Sequence, residues 1–300
     1  MVRLTPEESR FAFGKNWSSF LKQVDAARAD QAVKSLRQLL QLDPDDREPL
    51  AGKSFLDIGS GSGLFSLAAV SLGAAMVVSL DIDQDCVDCT RRLKDQFVDS
   101  PSERGGAAEQ RPAWRVHQLS VLDGDAVAAL GTFDVVYSWG VLHHTGDMNA
   151  AIENASERVA FKGSLAIAIY NDQGGASRRW LAIKRGYHTL PVLARGVYVA
   201  GVASLYEFKF ALARLSRGRS PLPFTDWRAK RADRGMSVWH DWVDWIGGLP
   251  FEVATPEAVI MPLRKRGFVL ENLRTVGSGW GCNEYVFRRE RDQSDDAGDI

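Results

Sequence analysis

The 300-residue sequence has few cysteines and no long apolar run. Three cysteines are too few to cross-link a chain of this length, which argues against a disulfide-stabilised secreted domain. No uncharged stretch of about eighteen residues occurs, so no membrane-spanning helix is predicted. The first residues also lack the apolar segment of a signal peptide. Together these absences predict a cytoplasmic protein.

Neither sign of charge dominates, since the net charge is −1 with 25% charged and 45% hydrophobic residues. This composition is typical of an ordinary globular protein. The five histidines show no metal-binding spacing with each other or with carboxylates. Cys86 and Cys89 lie within a predicted helix and have no second cysteine pair to complete a zinc site. No metal or redox centre is predicted.

The sequence does contain a glycine-rich turn after a short apolar strand. Residues 55–63 read Phe-Leu-Asp-Ile-Gly-Ser-Gly-Ser-Gly. Glycine accepts positive φ and has no Cβ, so such a turn can pass closely under a nucleotide-like ligand. Ser66 stands where a dinucleotide fingerprint needs glycine or alanine, and no Gly-Lys-Ser/Thr triplet of a P-loop follows. A turn that serves only for packing is the alternative.

The pattern D-x-G-x-G-x-G from Asp57 to Gly63 resembles motif I of the class I S-adenosylmethionine-dependent methyltransferases. A second apolar strand ends at Asp81, where an acid can accept two hydrogen bonds from a ribose diol. Residues 133–144, which end in Val-Leu-His-His, resemble the fourth motif of this family. The N-terminal segment resembles the cap of its small-molecule branch, which includes ubiquinone-type methylases.

This resemblance implies S-adenosylmethionine as the cofactor and suggests its contacts. Asp57 would hold the ammonium, Asp81 the ribose and Asp123 the adenine, while Trp139 would form a wall beside the sulfonium. Asp123 as a plain turn or cap residue and Trp139 as a core residue are equal alternatives. The predicted cofactor-binding residues are Asp57, Gly59, Ser60, Gly61, Gly63, Asp81, Ile82, Val121, Leu122, Asp123, Ser138 and Trp139.

Apolar strands alternate with amphipathic helical segments, which predicts an α/β fold with a doubly wound, Rossmann-like sheet. The resemblance implies seven strands, mostly parallel, with an antiparallel C-terminal strand. The expected segments are a helical cap (1–45), a cofactor-binding core (46–171), a helical lid insertion (172–250), closing strands (251–288) and a disordered tail (289–300).

The insertion carries two features outside the motifs. From Gly174 to Gly235, thirteen lysines and arginines stand against three acids. This favours a solvated basic face, with recognition of an acidic substrate as the alternative. Trp239, Trp242 and Trp245 recur every three residues, which suits either an aromatic wall for a planar substrate or a satellite core. Peripheral lipid contact is a further alternative for the apolar stretch at 190–215.

The predicted function is methyl transfer to an oxygen or nitrogen of a small-molecule acceptor, by alignment in a dry, aromatic-lined pocket. His240 is the preferred general base, with His143, Tyr170 and Asn171 as further catalytic candidates, and each has a structural alternative. His144 is weighed with His143 as a base. The predicted substrate-pocket residues are Trp17, Trp239 and Trp242.

Two other functions fit the same cofactor motifs. One is intramolecular cyclisation of S-adenosylmethionine with release of methylthioadenosine, and the other is a catalytically silent S-adenosylmethionine-binding protein. A nucleic-acid substrate is not expected, because Asn171-Asp172-Gln173 lacks the N-P-P-Y/W pattern of base-amino methyltransferases. The sequence predicts neither the acceptor nor the oligomeric state.

Overall fold

The computed structural model describes residues 26–99, 112–218, 220–222, 238–277 and 281–291. The chain divides into two units. The helical unit comprises Gln173–Phe251, and the sheet unit comprises Ala12–Asp172 with Glu252–Ile300. Most of the predicted cap and the predicted tail beyond residue 291 lie outside the described residues.

Seven strands form one sheet in the order β3-β2-β1-β4-β5-β7-β6. They are β1 (Ser54–Ile58), β2 (Met76–Asp81), β3 (Ala113–Gln118), β4 (Phe133–Trp139), β5 (Val159–Tyr170), β6 (Phe268–Arg274) and β7 (Cys282–Arg289). The first five strands pair in parallel, and β7 is antiparallel to both β5 and β6. The predicted seven-stranded, mostly parallel sheet with an antiparallel C-terminal strand is confirmed.

Helices of the sheet unit cover both faces of this sheet. They are α1 (Ala26–Leu39), α2 (Leu64–Ser71), α3 (Gln84–Lys94), α4 (Gly124–Ala128), α5 (Met148–Glu157) and, after the helical unit, α9 (Pro256–Lys265). Side chains alternate along each strand, so Phe55 of β1 enters the core beneath α1 and α2, while Leu56 and Ile58 enter the core beneath α5 and α9. Burial of both faces explains why these strands are nearly continuous apolar runs.

The sequence Ala-Phe-Lys-Gly-Ser at 160–164 predicts a turn before a fifth strand at 165–171, and the structure differs. The strand begins at Val159, and its register with β4 shifts between the pairs Phe133↔Val159 and Val135↔Ser164. Lys162 has φ +62°, and a Cβ on Gly163 would lie 2.8 Å from the carbonyl oxygen of Ala160. The residues expected to form a turn therefore form an irregularity within one longer strand.

The helical unit contains α6 (Gly175–Thr189), α7 (Val192–Leu215) and α8 (Val238–Gly247). Its core is built on Trp180, Tyr187, Val199 and Ile246. The indole of Trp180 stacks on Tyr206 of α7 with ring centroids 4.9 Å apart, which joins α6 to α7. In the part of the chain that the structure describes, no helix is long and apolar enough to cross a membrane.

Candidate active site

The glycine turn follows β1 at its carboxyl end and leads into α2. Gly59, Gly61 and Gly63 have φ angles of +74°, +56° and +80°. A Cβ on Gly59 would lie 2.5 Å from both terminal methyl groups of Val141, and one on Gly63 would lie 2.9 Å from the Thr90 methyl group. The backbone conformation and the lack of space both require glycine at positions 59 and 63.

Asp81, at the end of β2, holds this turn in place. Its carboxylate accepts the Gly61 N–H at 3.0 Å and the Asp83 N–H at 2.9 Å. Burial raises the pKa of Asp81, while these hydrogen bonds oppose the rise. A carboxylate offers about four lone-pair positions, so acceptor capacity remains for a further donor such as a ribose hydroxyl. The adjacent Ile82 is 40% exposed and provides apolar surface beside them.

Asp57 lies on β1, where its side chain contacts Ser66 in the first turn of α2. Its side chain is 2% exposed and accepts a hydrogen bond from the Ser66 hydroxyl at 2.6 Å. The Ser66 and Ser79 hydroxyls are 2.6 Å apart, and Trp114 donates to Ser79 at 2.8 Å. Burial raises the pKa of Asp57 to about 7, and the charge of Asp81 adds to the rise. The contact between Asp57 and the ammonium of the cofactor stays a prediction beside this observed role.

The loop after β3 holds the residues predicted to contact adenine. Asp123 caps α4, since its carboxylate accepts the Ala126 N–H at 3.2 Å, and Leu122 beside it is half-buried. The carbonyl oxygen of Val121 accepts a hydrogen bond from the side-chain amide of Asn154 at 2.8 Å. Asn154 is absent from the predicted site because nothing in its local sequence on α5 links it to this distant loop. The adenine contact of Asp123 stays a prediction beside its observed capping role.

The carboxyl end of β4 presents one buried and one exposed side chain. The Ser138 hydroxyl is fully buried and donates to the carbonyl oxygen of Ile58 at 3.0 Å, so it joins β4 to β1. Trp139 is 40% exposed, and its indole N–H donates to Glu284 of β7 at 2.9 Å. Trp139 is therefore a fixed, exposed aromatic surface at the carboxyl edge rather than a core residue.

Two histidines and a tyrosine cluster between the ends of β4 and β5. The His143 ring is fully buried, with its centroid 4.0 Å from that of Tyr170 and 4.5 Å from that of His144. The Tyr170 N–H donates to Nδ1 of His143 at 3.4 Å. His144 and Tyr170 are partly exposed. His144, rather than His143, is thus the histidine of this pair that solvent or an acceptor can reach.

The remaining predicted catalytic and pocket residues do not lie in one place. Both ends of the Asn171 amide are engaged, since it donates to the Gly277 carbonyl at 3.0 Å and accepts from Asn283 at 3.1 Å. Trp242 packs within the helical unit, with its ring 6.2 Å from that of Tyr206. Trp17 and the side chains of Trp239 and His240 lie outside the described residues.

The sequence was compared with known protein families. A family model described as a methyltransferase domain matches residues 26–237. The chain belongs to this family. This is the class I S-adenosylmethionine-dependent methyltransferase family that the glycine turn and Asp81 predict, and S-adenosylmethionine is the cofactor of that family. The ubiquinone-type branch stays a prediction.

Curated relatives of this methyltransferase match only part of it. A ribosomal protein L11 methyltransferase from Halorhodospira halophila is 38% identical over 84 residues, which are 28% of this chain and 26% of that protein. Another, from Aeromonas hydrophila, is 41% identical over 61 residues, which are 20% of this chain and 18% of that protein. The chain therefore spans about a quarter or less of the length of these relatives.

A solved structure extends the likeness over the fold. Magnesium protoporphyrin IX methyltransferase from Synechocystis PCC 6803, with bound S-adenosylhomocysteine, superposes with a TM-score of 0.50 at 14% identity. The match covers 92% of this chain and 94% of that chain. At this identity the likeness shows a shared fold.

The described residues of the methyltransferase fit S-adenosylmethionine. The turn from Gly59 to Gly63 brings backbone with three left-handed glycines to the carboxyl end of β1. Asp81 keeps acceptor capacity at the sheet edge where α/β folds bind ligands, and Trp139 exposes an aromatic ring at the same edge. These residues would hold the cofactor against the backbone of the turn, with a carboxylate and an aromatic face beside it.

Proposed function

We propose that this methyltransferase transfers the methyl group of S-adenosylmethionine to an oxygen or nitrogen of a small-molecule acceptor. The bound cofactor supplies an electrophilic methyl group on a positively charged sulfur. The protein then contributes mainly alignment and exclusion of water. The observation that supports this proposal is the exposed Trp139 together with the partly exposed His144 and Tyr170, in the same unit as the glycine turn.

Asp81, Trp139 and His144 have different roles in the proposal. Asp81 orients the ribose and fixes the turn through Gly61. The Trp139 ring, oriented by Glu284, offers its negative face to the sulfonium. His144 accepts a proton when the acceptor is a hydroxyl, because imidazole exchanges protons near neutral pH.

The proposal also assigns acceptor choice to segments outside the sheet. Residues 172–250 would serve as a lid that carries His240 as a second candidate base. Trp17, Trp239 and Trp242 would line the acceptor pocket. The support is the sequence alone, in which this insertion carries the aromatic and basic residues that the cofactor motifs do not use.

Calorimetry with S-adenosylhomocysteine tests the cofactor part of the proposal. Asp81→Asn removes a charge-assisted acceptor from both the ribose and the Gly61 N–H, so we expect affinity to fall by roughly tenfold or more. Asp83→Asn is the matched control, because asparagine caps α3 as well as aspartate does. Equal affinities for the wild type and Asp81→Asn would contradict the assigned role of Asp81.

Product analysis tests the reaction itself. The protein is incubated with S-adenosylmethionine and pools of small hydroxyl- and amine-bearing acceptors, and the products are separated by mass spectrometry. The proposal expects S-adenosylhomocysteine and an acceptor heavier by one methylene. Methylthioadenosine in their place would indicate intramolecular cyclisation, and binding without any product would indicate a silent binding protein.

A further inference from the structure

Helix α7 carries an apolar stripe on the side that faces away from the core of the helical unit. Its inner side gives Val199 and Tyr206 to that core. At about 100° per residue, six outward apolar side chains fall within roughly one third of the helix circumference. Their exposed fractions run from 52% to 95%. They are Leu193, Val197, Leu205, Phe208, Leu212 and Leu215.

Among the described residues of α7, no charged side chain lies within this stripe. Lys209 is exposed at one edge of the stripe, and Arg217 is exposed just beyond the end of the helix. The one acid of the helix, Glu207, lies on the opposite flank, 3.9 Å from the guanidinium of Arg214. The stripe is thus apolar except for Ser204, with a cation at one edge and another beyond its C-terminal end.

The charge of the surrounding segment distinguishes between occupants of this surface. Residues 174–222 contain nine lysines and arginines and a single acid, Glu207. A second copy of the chain docked on the stripe would bring two strongly basic segments together, which like-charge repulsion opposes. An anionic surface attracts the same cations, and the attraction persists over about a Debye length.

We propose that α7 lies flat on an anionic lipid bilayer, with its apolar stripe below the headgroups and Lys209 and Arg217 beside the phosphates. A helix with an apolar face and flanking cations lies in the plane of the interface. Its 24 residues give a length of about 36 Å along that plane. No described helix can span a membrane, so the contact is peripheral.

Flotation of the full chain with vesicles tests this proposal. One vesicle set is phosphatidylcholine alone, and the other contains about one third phosphatidylglycerol. The stripe variant is Leu205→Gln, Phe208→Gln and Leu212→Gln. Its matched control changes three exposed apolar residues of the sheet unit, Phe161→Gln, Met261→Gln and Val269→Gln. A charge variant, Lys209→Glu with Arg217→Glu, is matched by Arg264→Glu with Lys265→Glu on α9.

The proposal expects anionic vesicles to bind the wild type and both controls, and zwitterionic vesicles to bind them weakly. The stripe and charge variants should lose roughly tenfold or more of this binding, and added salt should weaken it. Binding of S-adenosylhomocysteine checks that each variant is folded, and if the stripe variant fails this check the charge variant decides.

Three results would overturn the proposal. One is flotation of the stripe variant and the charge variant to the same extent as the wild type. Another is equal binding of the wild type to the two vesicle types. The third is a wild type that is dimeric in light scattering and a stripe variant that is monomeric, when neither protein floats with vesicles. That last result would identify the stripe as an interface between two copies.

Discussion

Asp57 is a residue of the cofactor motif whose side chain is held by the protein itself. Its buried carboxyl is fixed by the Ser66 hydroxyl of α2, and Ser66 contacts Ser79 of β2 in turn. The Ser66 side chain therefore links α2 to both β1 and β2 where the glycine turn begins. We infer that Asp57 supports cofactor binding by positioning the turn.

The pKa of Asp57 leads to a stability prediction. This pKa is raised from 3.8 to about 7 by burial, so between these values the folded state binds more protons than the unfolded state. The free energy of unfolding therefore falls as pH rises through that window. Above it, the buried charge costs up to about 4 kcal/mol. Asp57→Asn removes the charge and keeps an oxygen for Ser66, so urea unfolding should show a more stable variant at high pH and no gain in acid.

Ser66→Ala should change the stability in the opposite direction to Asp57→Asn at high pH. It removes the hydrogen bond that lowers the pKa of Asp57, so it should destabilise most where Asp57 is ionised. A loss of stability in Asp57→Asn that stays constant across the pH range would contradict the assigned pKa.

At the scale of elements, the glycine turn joins β1 to α2 in a space that its neighbours restrict. Gly59 is confined by Val141, which follows β4, and Gly63 by Thr90 of α3. The sequence could predict the turn, because an apolar strand followed by spaced glycines is a local signal. It could not predict which neighbours require glycine, because these contacts form only when distant segments fold together.

Gly59→Ala should lose cofactor affinity through this restriction. The new methyl group would collide with Val141, and the backbone at φ +74° would be strained as well. Gly131→Ala is a control for strain alone, since Gly131 has φ +84° with nothing within 4 Å of its Cβ position. We expect Gly131→Ala to cost about 1 kcal/mol of stability and to bind S-adenosylhomocysteine normally.

Calorimetry should give at least a tenfold weaker Kd for Gly59→Ala. Val141→Ala in the same chain should restore part of the affinity by opening the space. Equal affinities of the two glycine variants would show that the contact with Val141 has no bearing on the turn.

Side-chain burial at the sheet edge was beyond what the sequence could predict. The Val-Leu-His-His segment makes His143 and His144 equal candidates, yet the ring packing with Tyr170 leaves only His144 accessible. The pattern likewise treats Trp139 as core or surface equally, and the partner that holds its indole, Glu284, comes from a strand far along the chain. Periodicity identifies strands and turns, whereas burial depends on partners from elsewhere in the fold.

For the whole molecule, the division into a sheet unit and a helical unit makes the lid proposal testable. Hydrogen exchange should slow in the glycine turn and at 81–83 when S-adenosylhomocysteine binds. The amides of this region donate to the Leu80 carbonyl and to Asp81, and a bound ligand would hold these hydrogen bonds closed. If the insertion acts as a lid, cofactor and acceptor together should also slow exchange in α8. Helix α7 should respond to anionic vesicles and not to the cofactor.

Mass spectrometry of proteolytic peptides gives this readout. Unchanged exchange in α8 at saturating cofactor and acceptor would contradict the lid. Protection of α7 by the cofactor alone would connect its stripe to catalysis instead of to lipid.

The two acids beside the glycine turn have a consequence for ligand exchange. Burial disfavours the ionised form of both Asp57 and Asp81, and the charge of Asp81 further disfavours ionisation of Asp57. A cation brought to this edge favours their ionised forms. The methyl donor carries a sulfonium and its demethylated product does not, so we expect the affinity for the donor to rise more steeply with pH than the affinity for the product. The two buried carboxyl groups would thereby favour entry of the donor and departure of a product that has lost the sulfonium charge.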